Sequence, residues 1–176
     1  MKIATFNING IKARLPALLD WLNETKPDVA MLQEIKSVDE LFPRDEIEAL
    51  GYEVHTHGMK GFNGVAILSK YPLEDIMRGL PGDEEDIQTR YIEATIVGEN
   101  ETLRICDLYL PNGNPTPGPK YDYKLNWMER LYKRTCTLIE LEEPFLLAGD
   151  FNIIPQAEDC WDTTPWENDA AYLPQS

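Results

Sequence analysis

The chain has 176 residues, 43% of them apolar and 27% charged, and 31 acidic against 16 basic residues give a formal net charge of −15. That length supports one folded unit with an ample core. The charge excludes a protein that coats nucleic acid by electrostatics alone, but not an enzyme that grips phosphates through a local basic patch.

Residues 2–8 alternate and carry β-branched and aromatic side chains, which predicts a strand. Leu15, Leu18, Leu19 and Leu22 recur at helical spacing, and Pro27 stops that helix. Residues 28–34 read as a second strand. Residues 39–50 predict a short helix closed by Gly51. Strands follow at 52–57 and 64–69, around Gly58-Met59-Lys60-Gly61. The acidic runs Asp83-Glu84-Glu85-Asp86 and Glu140-Leu141-Glu142-Glu143 read as solvated loops. Residues 89–97 and 103–110 flank the turn Gly98-Glu99-Asn100-Glu101 and predict a hairpin. The loop 111–119, rich in Pro, Gly and Asn, is of the kind that connects elements at the surface or covers a site. Leu125, Met128, Leu131, Tyr132, Thr135, Leu138 and Ile139 mark the clearest helix and its core face. Last comes the apolar run Pro144-Phe145-Leu146-Leu147-Ala148, a buried strand closed by Gly149-Asp150-Phe151-Asn152.

Strands mixed with helices and a hairpin predict a mixed sheet covered by helices, as a single domain over 1–176 with no repeat or linker. No apolar stretch is long enough to span a bilayer. Met1-Lys2-Ile3-Ala4-Thr5 leads straight into strand-like sequence, and Cys106, Cys136 and Cys160 are widely spaced. A cytoplasmic protein with reduced thiols is expected.

Four predicted strands end in polar groups: Asn7, Glu34, Tyr109, and the pair Asp150 and Asn152. If those ends share one rim, the groups converge where such sheets bind ligands. Taken singly, a strand-end Asn or Glu is more often a cap or surface charge, and a Tyr more often packing. As a set they suit Mg²⁺, which takes one or two carboxylates and keeps water and substrate phosphate in its other positions. Glu34 is the natural anchor and Asn7 a neutral oxygen. Asp150 either binds metal or takes a proton from the attacking water. Asn152 donates to a phosphate oxygen or orients the water. Tyr109 donates to the phosphate, or acts as phenolate if its pKa is lowered. The sum is metal-assisted phosphoester hydrolysis.

The sequences around these groups are Phe6-Asn7-Ile8-Asn9-Gly10-Ile11, Leu32-Gln33-Glu34-Ile35-Lys36, residues 58–69, Tyr109-Leu110-Pro111-Asn112-Gly113 and Gly149-Asp150-Phe151-Asn152. They resemble the exonuclease III family, within the endonuclease/exonuclease/phosphatase superfamily, and the resemblance covers essentially the whole chain. It implies an α/β fold, a four-layer α-β-β-α sandwich with two sheets face to face. It implies action on double-stranded DNA with Mg²⁺ or Mn²⁺: removing nucleotides from 3′ ends, releasing 3′-phosphate and cutting at abasic sites. By the resemblance Asn7, Glu34, Asp150 and Asn152 form the metal set. Tyr109 is an active-site phenol, Asp150 handles the nucleophilic water and Asn152 helps stabilise the transition state. Gln88, Arg90 and Lys120 fall near the DNA backbone, where the bland reading of the two cations is solvated surface charge.

The family's pattern runs on to another active-site Asp and a closing Ser-Asp-His, whose His helps position water and phosphate. This sequence has only His55 and His57, which alternate onto one face of an early strand, where a surface or satisfied role is expected. The chain is therefore expected to be the N-terminal portion of such a protein, with the C-terminal part missing. Two consequences are expected. Most of one sheet lacks its partner, which exposes an apolar face and favours self-association. The chain alone is weakly active or inactive. The alternatives are a non-catalytic remnant, one half of a split enzyme, and a phosphatase of the same superfamily. The motif at Tyr109 and the 59–69 hairpin speak against the last.

Overall fold

A computed structural model describes residues 1–98 and 102–176. Their strands form two sheets of four. The first sheet holds β1 (Ile3–Asn7), β2 (Val29–Gln33), β3 (Glu53–His57) and β4 (Val65–Ser69) in the order β1-β2-β4-β3. The second holds β5 (Leu73–Arg78), β6 (Tyr91–Val97), β7 (Thr102–Tyr109) and β8 (Phe145–Asp150) in sequence order. The β1/β2 and β7/β8 pairs are parallel, and the others antiparallel. Helices α1 (Ile11–Thr25) and α2 (Arg44–Glu48) cover the outer face of the first sheet, and α3 (Pro119–Glu140) that of the second.

Strand alternation builds these layers. On β2, Ala30 and Leu32 face α1 and α2, while Val29 and Met31 face the second sheet, and all four are fully buried. Across the middle layer Val29, Met31, Val65 and Ile67 meet Ile92, Ala94, Ile96 and Ile105. The four-layer sandwich is therefore present. The expected unpartnered sheet face is not: the inner apolar face of each sheet covers the other, because each already has four strands. The edge strands are β1 and β3 in the first sheet and β5 and β8 in the second.

Other expectations are also corrected. The helix read at 39–50 is a 3-10 turn at Asp39–Leu41 followed by the short α2. Phe42 between them is extended, the conformation favoured before Pro43. Strand β5 escaped the reading because its pairing with β6 is irregular between Glu74 and Met77, and Asp75 turns left-handed there. On α3, Tyr132 and Ile139 are exposed, while Tyr121, Lys124, Trp127, Leu131 and Leu138 are buried. The hairpin pairs as expected, from Tyr91↔Leu108 to Val97↔Thr102. Of its turn Gly98-Glu99-Asn100-Glu101, residues 99–101 lie outside the described residues. Asp86 is not a solvated charge, for it accepts from the Tyr123 hydroxyl and from Arg130. The run 140–143 is exposed, as read.

Candidate active site

Alternation also places the site. Ile3, Thr5 and Asn7 on β1 face inward, as do Ile105, Asp107 and Tyr109 on β7, and Leu146, Ala148 and Asp150 on β8. The β1/β2 and β7/β8 pairs are parallel, so their C-terminal ends meet at one rim. Glu34 lies one residue beyond β2 with φ 54, a left-handed conformation that side chains rarely adopt. Gly10 N–H donates to its carbonyl at 2.7 Å and fixes that turn.

The five strand-end residues form one cluster, with Tyr109 joined to it through Glu34. Asn7 Nδ2 donates to Glu34 Oε1 at 3.0 Å and to Asp150 Oδ2 at 2.7 Å, and Asn7 Oδ1 accepts from Asn9 N–H. Two carboxylates thus converge on one NH₂ group. Asp150 Oδ1 accepts from Asn152 N–H at 3.0 Å, and Asn152 Nδ2 donates to the Leu110 carbonyl at 2.9 Å. Burial pushes the Glu34 pKa up, but hydrogen bonds from Lys36, Asn7 and Tyr109 outweigh it and hold the carboxyl below its ordinary range. The Lys36 ammonium stands 2.8 Å from Glu34 Oε2.

Tyr109 goes the other way. Burial, then the neighbouring Glu34 carboxylate, push its phenol up to about 12. The shift favours the protonated phenol, which can act as a hydrogen-bond donor. The Arg90 guanidinium lies over its ring at 4.8 Å and donates to its carbonyl and to Gln88 Oε1. Gln88 also accepts from Asn63 Nδ2 at 3.0 Å. Gln88 and Arg90 are thus packed beside Tyr109 rather than solvated. Lys120 is not brought in: it is exposed on the first turn of α3 and makes no side-chain bond among the described residues. His55 and His57 sit on β3, an edge of the first sheet, with His55 Nε2 at 2.5 Å from Glu53 Oε1.

A cavity of about 530 Å³ opens beside the rim, lined by Asn7, Asp150 and Asn152 with Gln33 and Trp166. Among the described residues no histidine lines this cavity, and Cys160 is its one thiol. Two carboxylates and amide oxygens fit a hard divalent cation that keeps water and takes a substrate oxygen.

Sequence reasoning missed two supports. Lys124 of α3 is fully buried, and its Nζ donates to the carbonyls of Asn152 and Ala170 at 2.8 Å and of Asn112 at 3.4 Å. Burial pushes this ammonium down to about 8, against the nearby Asp169 carboxylate, which favours its charged form. Its phase with Trp127 and Leu131 was the available signal. Between the sheets, fully buried Asp107 accepts from Gln33 Nε2 at 2.6 Å, and Gln33 also donates to Thr5 Oγ1. Burial pushes the Asp107 pKa well above the usual carboxylate range.

The phenols set a pH dependence. Tyr109 titrates at about 12 when folded, against 10.0 as its ordinary value. The unfolded chain therefore loses this proton first, and stability falls as pH rises from about 10 to about 12. Tyr91 and Tyr123 are pushed up as well, chiefly by burial, and add in the same sense. Denaturant midpoints should drop across that window, and Tyr109→Phe should lessen the drop. A flat profile refutes the assignment.

Comparison with known proteins bears on the family and the fold. Residues 4–174 match the sequence profile of the endonuclease/exonuclease/phosphatase family. The exodeoxyribonuclease III of Haemophilus influenzae is 40% identical over 163 residues, which are 90% of this chain and 60% of that protein. An AP endonuclease from Archaeoglobus fulgidus superposes with a TM-score of 0.91 at 35% identity, covering 99% of this chain and 66% of that one. A 3′ phosphatase from Neisseria bound to product DNA hairpin gives 0.91 at 34% identity, with 99% and 67% covered. The chain thus spans about 60% of the length of its Haemophilus relative. With two facing four-stranded sheets, a carboxylate-amide rim at their parallel ends and a profile match over nearly every residue, the chain belongs to the endonuclease/exonuclease/phosphatase family.

Proposed function

We propose that the rim serves metal-dependent hydrolysis of phosphodiester bonds in DNA, as in exodeoxyribonuclease III and abasic-site endonucleases. The observation that carries this reading is the Asn7 amide shared by Glu34 and Asp150 at the strand ends. Mg²⁺ or Mn²⁺, held by Glu34 with Asn7, Asp150 and Asn152 at hand, would supply Lewis-acid polarisation of a phosphate oxygen. Asp150 takes a proton from the attacking water. Tyr109 donates its O–H to a non-bridging phosphate oxygen. Asn152 turns its amide from the Leu110 carbonyl toward the developing charge. Arg90 and Gln88 face the backbone beside the scissile phosphate, and Lys120 reaches it farther along. The substrate is duplex DNA with 3′ ends or abasic sites, consistent with the relatives named above. Free thiols at Cys106, Cys136 and Cys160 suit the reducing cytoplasm.

A second reading is a non-catalytic chain that binds cation and DNA without cleaving it. Both histidines sit on β3, at the opposite edge of the first sheet from Asn7, which favours it, since among the described residues acid-base work then falls on Asp150 and Tyr109. The test offers an abasic-site duplex, a 3′-phosphorylated duplex and inositol phosphates, each with Mg²⁺, Mn²⁺ or a chelator. Slow, chelator-sensitive processing of the DNA substrates is expected. Cation-dependent DNA binding without cleavage supports the second reading. Turnover of inositol phosphates alone overturns both.

A further inference from the structure

A run of side-chain bonds reaches Tyr109 from a loop that the site does not otherwise use. Asn63 lies just before β4 with φ 45, a left-handed conformation that Asn adopts more readily than most residues. The backbone there is pinned on both sides. The Asn63 carbonyl accepts from Lys36 N–H at 3.0 Å and the Gly64 carbonyl from Ile35 N–H at 3.1 Å, while Gly64 N–H donates to the Thr89 carbonyl at 2.8 Å. The dipeptide thus bridges the Glu34 turn and the segment before β6. There Asn63 Nδ2 donates to Gln88 Oε1 at 3.0 Å, and Arg90 Nε donates to the same oxygen at 2.8 Å. A guanidinium carries donors only, so Gln88 must present its oxygen, and Asn63 must then present its NH₂ group. The cation fixes the sense of both bonds. Gln88 is held at its backbone too, where its N–H donates to Asp86 Oδ1 at 3.1 Å. Arg90 ends the run, with its guanidinium 4.8 Å from the centre of the Tyr109 ring and Nη1 donating to the Tyr109 carbonyl at 3.2 Å.

We propose that Asn63 is a positioning residue: by bonding the Gln88 carbonyl from one side, it holds that oxygen where it aims the Arg90 guanidinium over Tyr109. A long arginine stem loses much rotamer freedom when its head is held in one place. Two acceptors hold it here, the Gln88 oxygen at Nε and the Tyr109 carbonyl at Nη1. Without Asn63 the Gln88 amide is free to turn about its last bond. Turning its NH₂ group toward Arg90 sets donor against donor, and the guanidinium swings off the ring face. Among the described residues the Asn63 side chain bonds only Gln88 and Met59 Sδ, so it acts on the rim through Gln88. Its loop is pinned by backbone bonds, which do not need the side chain. The effect on turnover rests on the nuclease reading, whereas the aim of Arg90 does not.

Side-chain NMR tests it, with the Arg90 Nε–H signal assigned by its loss in Arg90→Lys. Asn63→Gly removes the amide without straining φ 45, and Gln88→Met removes the acceptor at similar length. Both should speed solvent exchange of Arg90 Nε–H by about tenfold or more, since that proton loses its partner. Gln88→Glu keeps an acceptor and should exchange at the wild-type rate. Backbone amides of β4 should stay unchanged in all three, which separates lost aim from a loosened loop. On an abasic-site duplex with Mg²⁺, Asn63→Gly should lower kcat by about tenfold and move KM by less than about twofold, because a displaced group beside the reacting atoms costs turnover first. Its Mn²⁺ affinity should match wild type. Unchanged Arg90 exchange in Asn63→Gly overturns the proposal. So does faster exchange in Gln88→Glu, or faster exchange in Asn63→Gly with unchanged kcat. If the wild-type chain cleaves no DNA, the nuclease reading fails on its own, and the exchange rates still decide whether Asn63 holds Arg90.

Discussion

Glu34→Gln should weaken Mn²⁺ binding by about a hundredfold or more, since a hard cation at this rim depends on one or two carboxylates and each tenfold loss is about 1.4 kcal/mol. The side chain keeps its shape, so the fold should survive. Its ion pair with Lys36 is partly exposed, and such pairs contribute little to stability. Asp150→Asn separates the two roles left open for that residue. A ligand role lowers Mn²⁺ affinity, whereas a purely water-handling role spares affinity and lowers turnover. Lys36→Met should act oppositely to Glu34→Gln and raise affinity by a few-fold, because it removes a cation beside the anchor carboxylate. Glu34 is held below its ordinary 4.5, so its charge survives mild acid and binding should persist as pH falls toward that value. Calorimetric titration with Mn²⁺, alongside denaturant midpoints, reads all three variants. Unchanged affinity in Glu34→Gln would remove the metal from this rim.

The legible part of this site is the part that obeys a short period. Asn7, Tyr109 and Asp150 end strands read from alternation at 2–8, the hairpin turn before 103 and the apolar run at 144–148, and the parallel pairing of β1/β2 and β7/β8 then gathers their ends. Glu34 is legible as a strand end, but the left-handed turn that brings it beside Asn7 is not, because nothing in Leu32-Gln33-Glu34 demands φ 54. Arg90 was hidden for another reason: its place over the Tyr109 ring is a long-range contact between β7 and the residues before β6. Lys124 was passed over because a charged residue in an apolar phase looks like a break in the stripe, whereas three carbonyls make it a core residue. The expected exposed sheet face is absent among the described residues because four strands fall in each sheet and their inner apolar faces cover one another.

Gly149→Ala should lower stability by about 3 kcal/mol or more, an effect usually reserved for buried cavities and broken backbone geometry. Gly149 has φ 141, a region essentially reserved for glycine. A Cβ there would stand 2.0 Å from the Leu108 carbonyl oxygen and 2.8 Å from the Leu108 nitrogen. Leu108 is the register partner of Gly149 in the parallel β7/β8 pair, so both clashing atoms are backbone and cannot swing aside. β8 must then shift away from β7, and the bond from Leu110 N–H to the Asp150 carbonyl, at 2.8 Å, goes with it. Asp150 follows directly in the chain, so its carboxylate leaves the Asn7 amide. Gly149→Ala should therefore lose Mn²⁺ binding along with stability, although no ligand atom has changed. Asp150→Asn, by contrast, should keep its denaturant midpoint. If Gly149→Ala unfolds at the wild-type midpoint, the close β7/β8 approach is wrong, and so is the means by which the sheet positions Asp150.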